Sequence, residues 1–240
     1  MTKKPAKAPS LGEKIYRRLR ADITSCVLTP GDTCTEAQLA QSYGVGKAPV
    51  RWALAALSRE GLVTARPRQG YIVAPVTIES VNDLFGVRLI LEPPAARLAA
   101  GNADIALLKS LHARVAKGWT AGDRRSHRAW VDANHRFHIE ITRAAGNARL
   151  TRLATDVLEE SERVTHILIS VYERVRPMAS EHTDLIAALA RGDGAAAERV
   201  AREHLEHTRR IVMDALLGDA RVRRAGRVEA GNFATAPQRP

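Results

Sequence analysis

The sequence predicts a mainly α-helical protein, with a small N-terminal domain that carries one β-hairpin and a C-terminal antiparallel all-α bundle of six to seven helices. Three observations predict this class. Apolar residues recur with the helical period over most of the chain, and short β-type runs occur only between residues 62 and 74. The helical segments are separated by short breaks, which is typical of antiparallel neighbours. A chain of 240 residues is long enough for one or two domains with a buried core.

Local signals define the first two helices. Ser10 and Glu13 have the spacing of a capping box, and an apolar residue follows at every fourth position of the first helix. The turn LTPGD (28–32) then separates this helix from a short second one, which ends at Gly44.

The third helix, residues 46–60, has a proline and two cations near its start. Pro49 falls in the first turn, where its missing N–H has no intrahelical partner to lose. Lys47 and Arg51 are four residues apart and therefore share a face, away from the apolar stripe. The helix dipole favours anions at this end, so two cations there indicate an anionic partner on another molecule. A chance basic pair on a solvated helix is the alternative.

A basic hairpin follows the third helix. Its β-type runs, 62–65 and 71–74, flank the turn RPRQG (66–70). Helix, short helix, tight turn, helix and basic hairpin form a winged helix-turn-helix over residues 10–75, with 46–60 as the recognition helix. The predicted DNA contacts lie at the start of that helix and in the wing: Lys47, Ala48, Pro49, Arg51, Arg66, Arg68, Gln69 and Gly70.

Composition supports a polyanionic partner. The chain has a net charge of +11, of which residues 1–75 carry +7, from 12 Lys and Arg against 5 Asp and Glu. Cys26 and Cys34 have neither metal-site nor disulfide-framework spacing. No signal peptide or membrane-spanning apolar run is recognisable, so the expected location is the cytoplasm.

Residues 76–218 read as the helical bundle, and the basic segments 1–9 and 219–240 as disordered tails. Pro93-Pro94 is expected to interrupt or kink the first bundle helix. The predicted helices are 78–99, 103–118, 123–145, 147–172, 177–191 and 194–217.

Three histidines of the bundle, His138, His182 and His204, lie on three different predicted helices, which is how bundle cores assemble metal sites. Asn134 is one turn before His138, so its side-chain oxygen faces the same way. Imidazoles with one oxygen donor suit a divalent ion of the Zn, Ni or Mn class. From spacing alone, ordinary semi-buried histidines are the alternative. His135 and His207 are expected to face solvent.

The motifs resemble a known family. LTPGD (28–32), QLAQSYGVGKAPVRWALAALSREGLV (38–63) and RPRQGYIV (66–73) resemble the GntR family of bacterial transcription regulators. VRLILEPPAARLAA (87–100) and NHRFHIEITRAAGN (134–147), with later segments, look like the FCD effector domain of the FadR subfamily. The resemblance implies a homodimer that binds a palindromic operator in double-stranded DNA, more often as a repressor.

The FCD resemblance also implies a ligand site in the bundle. Metal-binding FCD domains carry Asp-x-x-x-His and two later histidines, and Asn134, His138, His182 and His204 occupy those positions. A small carboxylate effector near the metal is implied, with Arg88 as its clamp. An Arg88 salt bridge to Glu92, one turn on, is the alternative role.

The chain departs from the family pattern at the start of the recognition helix. Gly46-Lys47-Ala48 replaces the usual Ser-Arg-Thr, and Trp52 replaces a glutamate, so that Trp52 either contacts DNA or packs on the wing. Lysine reads guanine less well than arginine, which favours phosphate contacts or a different operator.

Two other functions compete with an effector-controlled regulator. A hydrolytic metalloenzyme is disfavoured, because neither His-Glu-x-x-His nor Gly-x-Ser-x-Gly occurs and Glu140 lies on the wrong face relative to His138. The protein is therefore expected not to be an enzyme. A DNA-binding dimer whose helical domain binds no metal or effector remains the alternative.

Overall fold

The computed structural model describes residues 8–120, 122–171 and 179–218. Three features predicted above lie outside these ranges: most of the tail 1–9, the break at Pro177 and the tail 219–240. The chain divides into two compact units between Pro75 and Val76. Within the described ranges, no helix combines the length and the apolar character needed to cross a membrane.

The predicted fold class is confirmed, since both units are mainly helical and a small antiparallel sheet forms the wing. The first unit contains α1 (Leu11–Thr24), β1 (Thr33–Cys34), α2 (Glu36–Tyr43), α3 (Lys47–Arg59), β2 (Val63–Arg66) and β3 (Gly70–Val73). The sheet order is β1-β3-β2, with both pairs antiparallel. The wing therefore has a third strand, β1, beyond the predicted hairpin, and Thr33 pairs with Ile72.

Caps and one apolar face explain the first unit. The Ser10 N–H donates to Glu13 Oε2 at 2.6 Å, and the Glu13 N–H donates to Ser10 Oγ at 3.2 Å. Gly44 ends α2 in the left-handed region, at φ 65°. The stripe predicted for α3 is buried against α1, in a core that includes Leu19, Ile23, Val50, Ala53, Leu54 and Leu57.

The second unit is a helical bundle whose α4 packs on α6, α7 and α9. The helices are α4 (Ile78–Ala99), α5 (Ile105–Ala116), α6 (Arg124–Ala144), α7 (Ala148–Val171), α8 (Ala179–Ala190) and α9 (Gly194–Gly218). Pro93 and Pro94 do not interrupt α4, which continues for a further turn after them. Tertiary packing accounts for this, because packing of a helix face outweighs the local loss of hydrogen bonds.

Most of the bundle interior is apolar, and Phe137, Leu189 and Leu205 are fully buried there. One part of it is not. A group of buried polar and charged side chains converges from four helices: Arg88, Glu92, His138, His182 and His204. Burying such groups is unfavourable unless each finds a partner, so this group is where a ligand site is expected.

Candidate metal centre and nucleic-acid interface

The three predicted histidines come together in the bundle core. His138 comes from α6, His182 from α8 and His204 from α9, and each is at most 5% exposed. One ligand nitrogen from each lies within 4.8 Å of the other two. Small side-chain shifts would let one ion reach all three, and three imidazoles are a donor set for Zn or a related divalent ion.

Two carboxylates orient two of these rings. Glu92 Oε2 lies 2.8 Å from Nδ1 of His138, and Glu181 Oε2 lies 2.7 Å from Nδ1 of His204. A carboxylate on one ring nitrogen fixes the orientation of the imidazole and leaves the other nitrogen for a metal. Sequence analysis predicted Glu92 only as a partner of Arg88, and it did not single out Glu181, which directly precedes His182.

His182 has no such partner. Both of its ring nitrogens are buried and lack a hydrogen-bond partner in the described part of the chain. The ring stacks on Phe137 with centroids 4.2 Å apart, so its position is fixed by packing. Buried polar atoms without partners are rare in proteins, and a bound ion is one explanation for them.

Electrostatics keep His138 and His182 neutral and the two carboxylates charged. Burial is the main reason that the pKa of His138 and of His182 lies below its usual range. Burial alone would raise the pKa of Glu92, but the nearby Arg88 and His138 hold it well below its usual range. The pKa of Glu181 is also lowered, because hydrogen bonds to His204 and His207 outweigh its partial burial. Neutral imidazole is the form that binds a metal.

Arg88 belongs to the same network. Its Nε donates to Glu92 Oε1 at 2.6 Å, so Glu92 bridges Arg88 and His138. The guanidinium also lies over the ring of Phe85, and Arg88 lines the cavity beside the histidines. The salt-bridge role is therefore present, and it does not prevent Arg88 from meeting a ligand in the cavity.

The cavity beside the histidines has a volume of about 70 Å³. Asn134 is half-buried and lines it one turn before His138, so its amide is on the side that the sequence predicts. All three histidines and Arg88 also line the cavity. An anion that enters it meets an arginine and the candidate metal ligands together.

The expectation for His135 is wrong. Its side chain is only 14% exposed, and its Nδ1 lies 3.2 Å from Glu162 Oε1 of α7. Burial lowers its pKa to about 4. The error arises because α7 packs on α6 and covers a face that the apolar stripe alone leaves open. His207 is half-exposed and pairs with Glu181, so it does not simply face solvent.

The predicted DNA-contacting residues form two exposed groups on the first unit. Lys47, Ala48 and Arg51 are exposed at the start of α3, and Pro49 is half-buried in its first turn. Arg66, Arg68 and Gln69 are exposed at the tip of the wing, where Gly70 begins β3. The exposed cations suit a phosphate backbone, and side chains at the start of α3 suit base edges.

Arg51 has an intramolecular partner that the sequence did not reveal. Glu36, the first residue of α2, accepts from Arg51 Nε at 3.0 Å and from Nη2 at 2.8 Å. Arg51 nevertheless stays 67% exposed. The bidentate pair limits the rotamers of Arg51 and leaves an outer part of the guanidinium accessible.

Trp52 packs within the protein, but against α1. Its ring makes an edge contact with Tyr16 and lies on Gly12, where an added Cβ would come within 3.1 Å of it. The wing was the expected packing partner. The side chain remains 47% exposed.

Gly70 is required by the geometry of the wing. Its φ is +87°, and a Cβ there would lie 2.5 Å from the carbonyl oxygen of Cys34 on β1. We expect Gly70→Ala to lower the free energy of unfolding of the first unit by at least ~2 kcal/mol, since left-handed backbone alone costs about 1–2 kcal/mol. Thermal and urea unfolding of the full chain measure this. Gly61→Ala is the control, because φ is +73° there as well but no atom lies within 4 Å, so only the backbone cost remains. Equal unfolding midpoints for Gly70→Ala and the unmodified chain would contradict the expectation.

Comparison with known proteins gives the family. The profile of the FCD domain matches residues 83–207, which is more than half of the chain, and that of the bacterial regulatory proteins of the gntR family matches residues 11–73. The chain belongs to the GntR family, with an FCD domain. It is accordingly a GntR-type DNA-binding transcription regulator.

Relatives and solved structures agree with this. The HTH-type transcriptional repressor RspR of Escherichia coli K12 is 28% identical over 200 residues, which covers 82% of this chain and 86% of RspR. The uncharacterized HTH-type regulator BphR of Paraburkholderia xenovorans is 29% identical over 218 residues, covering 86% and 87%. The structure of E. coli McbR/YncC matches with a TM-score of 0.73 at 22% identity, covering 85% of this chain and 98% of that one, which shows a shared fold.

Proposed function

We propose that this GntR regulator is a homodimeric repressor of the FadR type, whose affinity for a palindromic operator is controlled by a small carboxylate. In this proposal residues 10–75 bind the DNA. Residues 76–218 dimerise and hold the carboxylate beside a divalent metal.

The buried histidine cluster is the observation that carries the proposal. His182 has two unpartnered buried nitrogens, and His138 and His204 are oriented by carboxylates within reach of the same ion. Asn134 adds a neutral oxygen from the same cavity. Because an amide replaces the family's aspartate, the site has one negative charge fewer and is expected to bind the ion more weakly.

The metal, when bound, supplies a Lewis-acid position for a ligand oxygen. Arg88 adds a cation in the same cavity, and Glu92 holds it there through Nε. A carboxylate is the anion that suits both groups. Glu92 also orients His138, so the arginine and the metal ligand share one anchoring carboxylate.

Control of DNA binding requires that the carboxylate favour one arrangement of the dimer. An effector shifts an equilibrium only by the difference in its affinities for the two states. A factor of ten in operator affinity therefore needs about 1.4 kcal/mol of differential binding.

The test uses the full chain, purified with Zn²⁺, Ni²⁺ or Mn²⁺ and analysed for metal content. Its operator is selected from a random duplex library and measured by fluorescence anisotropy. We expect about one ion per chain, a carboxylate that raises the unfolding temperature and lowers operator affinity, and loss of that response in EDTA. A chain without metal, with operator binding indifferent to carboxylates, would favour a DNA-binding dimer whose helical domain only dimerises.

A further inference from the structure

The cavity changes from polar to apolar along its length. Trp130, Asn134 and His138 all line it and follow one another at four-residue intervals on one face of α6. The spacing of a helix places Trp130 about 12 Å from His138 along the axis. The candidate metal ligands therefore mark one end of the cavity, and an aromatic side chain marks the other.

Two further helices, α9 and α7, and the segment after α5 contribute to the apolar end. On α9, His204 is followed two turns later by Ile211 and Val212, which also line the cavity. From α7, Ile169 packs in one buried cluster with Trp130. Beyond the end of α5, Trp119 makes an edge contact with Trp130, with ring centroids 5.0 Å apart. Side chains from four sides thus make the far end apolar.

Charge and hydrogen-bonding capacity are scarce away from the metal end. Among the described residues that line the cavity, Arg88 is the one lysine or arginine. Three lining hydroxyls already donate to carbonyl groups of their own helices: Ser161 to Val157, Thr165 to Ser161 and Thr208 to His204. Trp119 Nε1 is buried there without a hydrogen-bond partner among the described residues, so the far end offers one neutral donor. A second carboxylate, or several ligand hydroxyls, would lose more hydrogen bonds to water than this single donor replaces.

We propose that the cavity selects a monocarboxylate with an apolar body, either a short branched chain or a single ring. This rests on the proposed function, because it takes the carboxylate at Arg88 and the metal as given. The body lies against Trp119, Trp130 and Ile169.

The ligand series that tests this is measured by calorimetry on the metal-loaded full chain. 3-Methylbutanoate and phenylacetate are the apolar probes, succinate adds a second carboxylate, and glycerate adds hydroxyls. We expect at least tenfold tighter binding of one apolar probe than of succinate or glycerate, in line with the ~10–200-fold effect of a methylene-sized apolar contact. The same probe should shift the tryptophan fluorescence, since two of the three tryptophans line the cavity.

A variant of the apolar wall gives an independent measurement. Leu168 of α7 is half-buried and lines the cavity, whereas Leu153 on the same helix is 53% exposed and does not. Leu168→Asn should weaken the apolar probe at least tenfold and retain the metal. Leu153→Asn should change neither the affinity for the apolar probe nor the metal content.

The outcomes separate the two proposals. The apolar selection is overturned if succinate or glycerate binds as tightly as the apolar probes. It is also overturned if Leu168→Asn binds the apolar probes with unchanged affinity. Either result leaves the proposal of a carboxylate effector intact. Absence of binding by every carboxylate, together with absence of metal, overturns both. If Leu168→Asn does not fold, the comparison of ligands on the unmodified chain still decides.

Discussion

Replacing His182 with alanine is expected to remove the metal from the protein and to leave the DNA-binding unit folded. The ring supplies one of three clustered nitrogens and has no other polar partner in the described part of the chain. Loss of an outer partner such as Glu92 typically lowers metal affinity 10–100-fold, so loss of a ligand should lower it by at least ~100-fold. Metal content after dialysis and competition with a chromophoric chelator measure the change.

The control is His135→Ala. His135 is a half-buried histidine three residues before His138; its Nδ1 lies 3.2 Å from Glu162 Oε1, and it is outside the histidine cluster. This variant should keep the metal. Metal binding also stabilises the fold, because a free ion concentration of 100 times the Kd stabilises the folded state by about 2.7 kcal/mol. EDTA should therefore lower the unfolding temperature of His135→Ala and not that of His182→Ala. Full metal occupancy in His182→Ala would rule out this site.

The features predicted best from the sequence are those that depend on residues close together in the chain. The helix predicted at 78–99 has the observed bounds of α4, and the capping box at Ser10 and Glu13 forms as expected. Both depend on residues within a few positions of each other. Strand β1 was missed because two residues, Thr33 and Cys34, are too short for an alternating pattern. Their strand character comes from pairing with β3, nearly forty positions later.

The polar contacts of the sites were harder to foresee for the same reason. Helical periodicity indicates a buried face, but it does not say which residue of another helix lies opposite. Glu181 reaches His204 from α8, and Glu36 reaches Arg51 from α2. The prediction that His135 faces solvent was wrong because α6 is covered on more than one side, and a single apolar stripe does not indicate this.

The second large effect is expected at Arg51. Arg51→Ala should lower the affinity for the selected operator at least tenfold, which corresponds to the ~1–3 kcal/mol of a bidentate base contact. Arg51 is 67% exposed on the first turns of α3, and Glu36 restricts its rotamers before DNA arrives. A held guanidinium loses less conformational entropy when it contacts a base edge than a free one does. Fluorescence anisotropy with the operator and with a scrambled duplex measures affinity and specificity together.

Two further variants show whether the position of Arg51, or only its positive charge, accounts for the loss of operator affinity. Arg59→Ala removes the same charge from the last turn of α3, about 12 Å along the helix, and should weaken both duplexes slightly and equally. Glu36→Gln keeps Arg51 but removes the carboxylate that holds it, so scrambled DNA should bind more tightly and the preference for the operator should shrink. If Arg51 contacts a base, Arg51→Ala should lower the affinity for the operator far more than the affinity for the scrambled duplex. Equal losses on both would reduce Arg51 to a phosphate contact, and an unchanged affinity would remove the start of α3 as the reading surface.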